Sequence, residues 1–113
     1  MEKIVQQAFL YDFYGVLLTE HQRRIYEDVV FNDMSLSEIA EEQGISRQGV
    51  HDLIRRCDRI LAGYEEKLKL VEKFRRTKEM ISQIQSLADE FKRTGDGKLV
   101  EAIGQISGEI AML

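Results

Sequence analysis

The stretch SLSEIAEEQGISRQGVHDLIRRCDRIL, residues 35–61, leaves few folds open to the chain. Ser35 followed three residues later by Glu38 is a capping box. The hydroxyl takes the backbone N–H of Glu38, and the carboxylate reaches back to the N–H of Ser35. Gly44 supplies the positive φ that ends a helix cheaply. Ser46 then caps a second helix. Helices over Leu36–Gln43 and from Arg47 onward, joined by so short a turn, make a helix-turn-helix. Ala40 is small where the two helices would cross. Ile39, Ile45, Val50 and Leu53 or Ile54 supply the apolar wedge, with Ile45 expected to pack in the turn.

The flanking segments read as helices too. Thr19 and Gln22 form a second capping box, opening a helix over Glu20–Phe31 that buries Ile25, Val29 and Val30. A first helix, Lys3–Leu18, carries Ile4, Val5, Ala8, Phe9, Tyr11, Phe13, Val16 and Leu17, and its aromatics point to burial on more than one side. From Arg47 the apolar spacing of three and four continues through Leu61, Tyr64, Leu68 and Val71 to Phe74. The chain has no proline to interrupt it. One helix of roughly 28 residues and about 42 Å is expected, with Gly63 the weak point. Downstream, MISQIQSLADEF and the run Leu99, Ile103, Ile106, Ile110 and Leu113 are two amphipathic stripes joined at TGDGK, a helical hairpin. The expected fold is all-α: a helix-turn-helix domain over 1–62, then a helical extension over 63–113 for packing or oligomerisation.

Charge complicates a nucleic-acid reading. The net charge is −4. Residues 1–62 hold 7 Lys/Arg against 11 Asp/Glu, and residues 63–113 hold 9 of each. Random attachment to DNA comes from cations neutralising phosphates, so the head is expected to bind nonspecific duplex weakly. Residues 47–59 reverse this locally, with four Arg and two Asp. At 100° per residue, Gln48, Asp52, Arg55 and Arg59 fall opposite Val50, Leu53, Ile54 and Cys57. The start of the second helix of such a motif enters the major groove. Arg47, Gln48, His51, Asp52 and Arg55 are therefore the candidates for base edges. Ser35, Ser37, Arg56 and Arg59 are the candidates for phosphates. The competing reading is a solvated face on which Asp52 pairs with Arg55 and Arg56.

Other features carry blander readings. Cys57 lies on the apolar stripe, where a buried inert thiol is expected; one cysteine permits no internal disulfide and suits a reducing compartment. His21 and His51 lack companions at ligand spacing, so no metal or cofactor is expected. The basic run KFRRTK, Lys73–Lys78, reads as a solvated helix end or a contact for RNA. GDG at 95–97 is a turn and not a phosphate loop. No constellation supports catalysis. The N-terminus lacks signal-peptide order and no apolar run reaches bilayer length, so a cytoplasmic protein is expected.

LTEHQRRIYEDVVFNDMSLSEIAEEQGISRQGVHDLIRRCDRIL, residues 18–61, resembles region four of bacterial sigma factors through Ser35, Glu38, Ile39, Ala40, Gly44, Ile45, Ser46 and Val50. FLYDFYGVLLTEHQ, LSEIAEEQGISRQGVHD and ILAGYEEKLKL are more closely similar to the YlxM family of small helix-turn-helix proteins. The likeness covers residues 9 to about 70 well and the tail loosely. It implies a sigma-region-four-like head, DNA binding and a regulatory role in the signal recognition particle pathway. Expected partners are thus DNA, the particle's GTPase or RNA, and further copies of the chain. An accessory of that particle, using the head only as a scaffold, is the alternative.

Overall fold

Backbone donors and acceptors at helix ends decide where each element of this chain stops. The computed structural model describes residues 2–113, and no strand occurs among them. Six α-helices follow in order: α1 Lys3–Tyr14, α2 Glu20–Val30, α3 Leu36–Gln43, α4 Arg47–Leu68, α5 Leu70–Thr94 and α6 Gly97–Ala111. A 3₁₀ turn, Gly15–Leu17, joins α1 to α2. The chain divides into two compact units, Met1–Val71 and Glu72–Leu113.

Both capping boxes close as expected. Thr19 Oγ1 accepts from the Gln22 amide at 3.2 Å, and Gln22 Oε1 accepts from the Thr19 amide at 3.0 Å. Ser35 and Glu38 exchange the same pair at 3.1 and 3.2 Å. Gly44 takes φ 68°, and the amides of Gly44 and Ile45 both donate to the Ala40 carbonyl. This turn aims Ile45 outward, leaving it 39% exposed, so it does not fill the turn as its apolar character implied. Ile39, Val50 and Ile54 supply the wedge without it, joined by buried Ala40.

In the first unit, α4 packs against α1, α2 and α3. The core holds Leu10, Tyr14, Leu18, Ile25, Tyr26, Ile39, Val50, Cys57 and Leu61. Fully burying one aliphatic side chain of this size contributes about 1.5–3 kcal/mol. The buried face of α1 is Leu10 and Tyr14, whereas Val16 and Leu17 stay exposed. The reason is that α1 ends at Tyr14, short of Leu18, and the tighter 3₁₀ turn carries both side chains away from the core. Tyr11 stacks on Tyr26 and meets Phe31 at a tilt; Tyr14 stacks on Tyr64.

The long fourth helix is interrupted at Lys69, not at Gly63. Lys69 adopts the left-handed conformation, φ 58°, and α4 and α5 meet there. The break is held from outside the segment. The buried Tyr14 hydroxyl accepts from the Leu70 amide at 3.1 Å and donates to Glu65 Oε1 at 2.5 Å. Glu65 Oε1 also accepts from the Val71 amide at 3.0 Å. These bonds satisfy amides that a helix restarting at Leu70 would otherwise leave open.

In the second unit, α5 runs on to Thr94, and Gly95 turns the chain at φ 70°. Asp96 caps α6 by accepting from the Lys98 amide at 3.0 Å. Ser82, Gln83, Ser86 and Leu87 of α5 share a shallow recess with Ile106 of α6, the side-by-side pairing of a hairpin. No residue of α6 is buried, and Ile81, Phe91 and Val100 remain exposed.

Candidate nucleic-acid interface

The first turn of α4 is presented by two short-range devices. Ser46 Oγ accepts from the Gly49 amide at 2.9 Å, which fixes where the helix begins. The left-handed Gly44 sets its direction relative to α3. Burial of Val50, Ile54, Cys57 and Leu61 then leaves the opposite face to solvent. Arg47, Gln48, His51, Asp52, Arg55, Arg56 and Arg59 are all exposed, as are Ser35 and Ser37 at the start of α3. Leu36 of α3 and Arg47, Gln48 and His51 of α4 line one recess. The two helix starts therefore lie together. Arg56 and Arg59 stand farther along α4, away from that recess.

The charges on this face are distributed unevenly. Asp52 Oδ1 accepts from Gln48 Nε2 at 2.9 Å, and His51 Nδ1 lies 3.8 Å from the same oxygen. The ion pairs of Asp52 with Arg55 or Arg56 allowed by the spacing are not formed. Among the described residues, Arg47, Arg55, Arg56 and Arg59 have no carboxylate within 4.0 Å. The second acid of the segment, Asp58, is committed elsewhere. Its Oδ1 accepts from Gln7 Nε2 of α1 at 3.0 Å and from the Tyr26 hydroxyl of α2 at 2.6 Å. The four guanidinium groups of 47–59 thus reach solvent without a carboxylate partner, beside the exposed charge of Asp52.

Gln7, Tyr26 and Asp58 are residues the sequence patterns passed over. One signal for Asp58 was available: it lies four residues after Ile54 and three before Leu61, at the edge of the buried stripe. A carboxylate there must find partners. The same knot shifts two titrations. Burial, then the hydrogen bond to Asp58, pushes the Tyr26 hydroxyl far above the usual tyrosine range. Burial, then the nearby Asp58 charge, pushes the Cys57 thiol up to about 11, the state of an unreactive core cysteine. Tyr11 and Tyr14 are raised as well, first by burial and then by their bonds to Glu27 and Glu65. Among the described residues no group of His, Cys, Asp and Glu could hold a metal ion. Nor is any described helix long and apolar enough to cross a membrane.

The sequence is similar to those of known proteins. Residues 1–99 match the family described as "Putative helix-turn-helix protein, YlxM / p13 like". The protein YlxM of Bacillus subtilis is 40% identical over 107 residues, 94% of this chain and 97% of the relative. A relative from Halalkalibacterium halodurans is 42% identical over 90 residues, covering 80% of this chain and 83% of its own. One from Bacillus cereus is 38% identical over 108 residues, 94% and 98% of the two chains. With a capped α3, a left-handed Gly44 and an exposed basic α4 as its structural counterpart, this likeness along most of its length means that the chain belongs to the YlxM/p13-like helix-turn-helix family.

Proposed function

We propose that the first unit is a sequence-selective DNA-binding head and that the protein is a cytoplasmic regulator built around it. The observation that carries the reading is the set of unpaired arginines on α4. Both acids of that segment are held by other partners, so the cations remain available for phosphates and base edges. With the start of α4 in the major groove, Arg47, Gln48, His51, Asp52 and Arg55 face base edges. Ser35, Ser37, Arg56 and Arg59 meet the backbone. The acidity of the rest of the head keeps random binding weak, which suits a protein that must find particular sites.

The test is electrophoretic retardation on duplexes selected from genomic fragments. Replacing both arginines, Arg55→Ala with Arg59→Ala, removes one base contact and one phosphate contact. The expected result is loss of the retarded band at low salt with the circular dichroism spectrum unchanged. Undiminished retardation by the folded double variant refutes the assignment.

A second reading is an accessory of the signal recognition particle that meets its RNA or GTPase. The exposed basic run Lys73, Arg75, Arg76 and Lys78 at the start of α5 favours it. Saturable binding to the particle's RNA by a chain that retards no DNA would establish this reading over the first. The exposed stripes of α5 and α6 favour self-association in either case, which would present two recognition helices to paired half-sites. Sedimentation as a monomer at micromolar concentration would exclude it.

A further inference from the structure

Asp52 is an unexpected residue on a helix that enters a groove walled by phosphates, since its charge repels them. Its bond to Gln48 gives it a use. A carboxylate only accepts hydrogen bonds, so the Gln48 amide must turn its nitrogen toward Asp52, as it does at 2.9 Å. One N–H is consumed, and the amide keeps its oxygen and one further N–H. An acceptor beside a donor is the pattern that matches N6 and N7 of adenine in the major groove. Guanine offers two acceptors there, and the amide oxygen opposes one of them. A free glutamine can instead turn both N–H bonds of its amide nitrogen toward the two acceptors of guanine. With one N–H held by Asp52, Gln48 loses that option and keeps the acceptor–donor edge that fits adenine.

The surroundings leave this pair to itself. Arg55 and Arg56 lie one turn further along and make no ion pair with Asp52. His51 approaches the same carboxylate oxygen only at 3.8 Å. Building on the DNA-binding reading above, we infer that Asp52 is a positioning residue: it holds Gln48 in the orientation that selects adenine, and its charge lowers affinity for every other duplex.

The experiment compares the full-length wild type with Asp52→Ala, Asp52→Asn and Gln48→Ala. Each is used to select from a random duplex pool and is then titrated on the selected duplex and its adenine-to-guanine variants. The wild type is expected to prefer adenine at one position by roughly 5- to 150-fold, the discrimination of one bidentate pair. Asp52→Ala and Gln48→Ala are expected to cut that preference to within about threefold. Asp52→Asn offers Gln48 a donor as well as an acceptor and no longer fixes the amide, so the preference is expected to fall between those of wild type and Asp52→Ala. Both Asp52 variants gain affinity for random duplex, because a repelling charge is gone. An adenine preference equal in wild type and Asp52→Ala overturns the inference and leaves DNA binding standing. A folded wild type that retains no duplex from the pool overturns DNA binding itself, and this inference with it.

Discussion

Removing a single oxygen atom, by Tyr14→Phe, tests what interrupts the long helix. The ring is 1% exposed and would keep its stacking on Tyr64, so packing changes little. What disappears is the bond donated to Glu65 and the one accepted from the Leu70 amide. A bond to a charged acceptor contributes about 1.5–3 kcal/mol and a neutral one about 0.5–1.5 kcal/mol. Leu70 is 41% exposed, so water recovers part of the second. Glu65 keeps the Val71 amide. The expected net loss is about 2–3 kcal/mol. All four tyrosines lie at or before residue 64 and the chain has no tryptophan. Tyrosine fluorescence in urea therefore follows the first unit of the intact chain. With a slope of about 1–3 kcal/mol per molar urea, the midpoint should fall by roughly 1–2 M. Tyr64→Phe is the control for signal loss, since no hydrogen bond of its hydroxyl is among those of the described residues. Lys69→Gly should act in the opposite sense. It relieves a left-handed cost of about 1–2 kcal/mol at the expense of some backbone entropy. A Tyr14→Phe midpoint within about 0.3 M of wild type would refute the view that this hydroxyl holds the break.

Four further outcomes concern the first unit. The folded Tyr26 keeps its proton above pH 10 while the unfolded one releases it. Stability is therefore intact below pH 10 and falls above it, by up to about 1.36 kcal/mol per pH unit for each such tyrosine; urea midpoints between pH 8 and 11.5 should fall less steeply in Tyr26→Phe, and an unchanged slope counts against the assignment. Cys57, fully buried and raised to about 11, should resist thiol reagents at pH 8 until urea unfolds the head, so rapid native labelling would contradict its placement. A methyl at Gly15 would sit 2.7 Å from the Tyr11 ring, itself held against Tyr26 and Phe31, so Gly15→Ala should destabilise by about 1–3 kcal/mol. Gly63→Ala, with open space around it, should stabilise by about 0.5–1 kcal/mol in the same urea assay.

The parts of this fold that could be read from the chain are those decided within a few residues. The boundaries of α3 are of this kind, because Ser35, Glu38 and Gly44 complete its hydrogen bonds locally. The start of α2 is another, through Thr19 and Gln22. The break at Lys69 could not be read, because the hydroxyl that satisfies Leu70 arrives from 56 residues earlier. Periodicity continues through the break without a blemish. Tyr26 acquires its role only through its approach to Asp58, 32 residues away. On α4 the exposed face was legible from helical spacing, since burial of the opposite stripe decides it. The pairing on that face was not. Asp52 had Gln48, Arg55 and Arg56 all at suitable spacings, and a bond to Gln48 forms.

The Asp58 knot bears on how the head would read a sequence. Gln7 ties it to α1 and Tyr26 ties it to α2, so one carboxylate indexes the azimuth of α4 against two other helices. A helix lying in a groove reads whichever side chains its roll angle turns downward. Asp58 sits where no base would touch it, yet it works like the keyway on a shaft. On the proposed DNA-binding reading, altering it would shift the phase of recognition before it weakened recognition, changing which letters are read while the hand that reads them stays on the page.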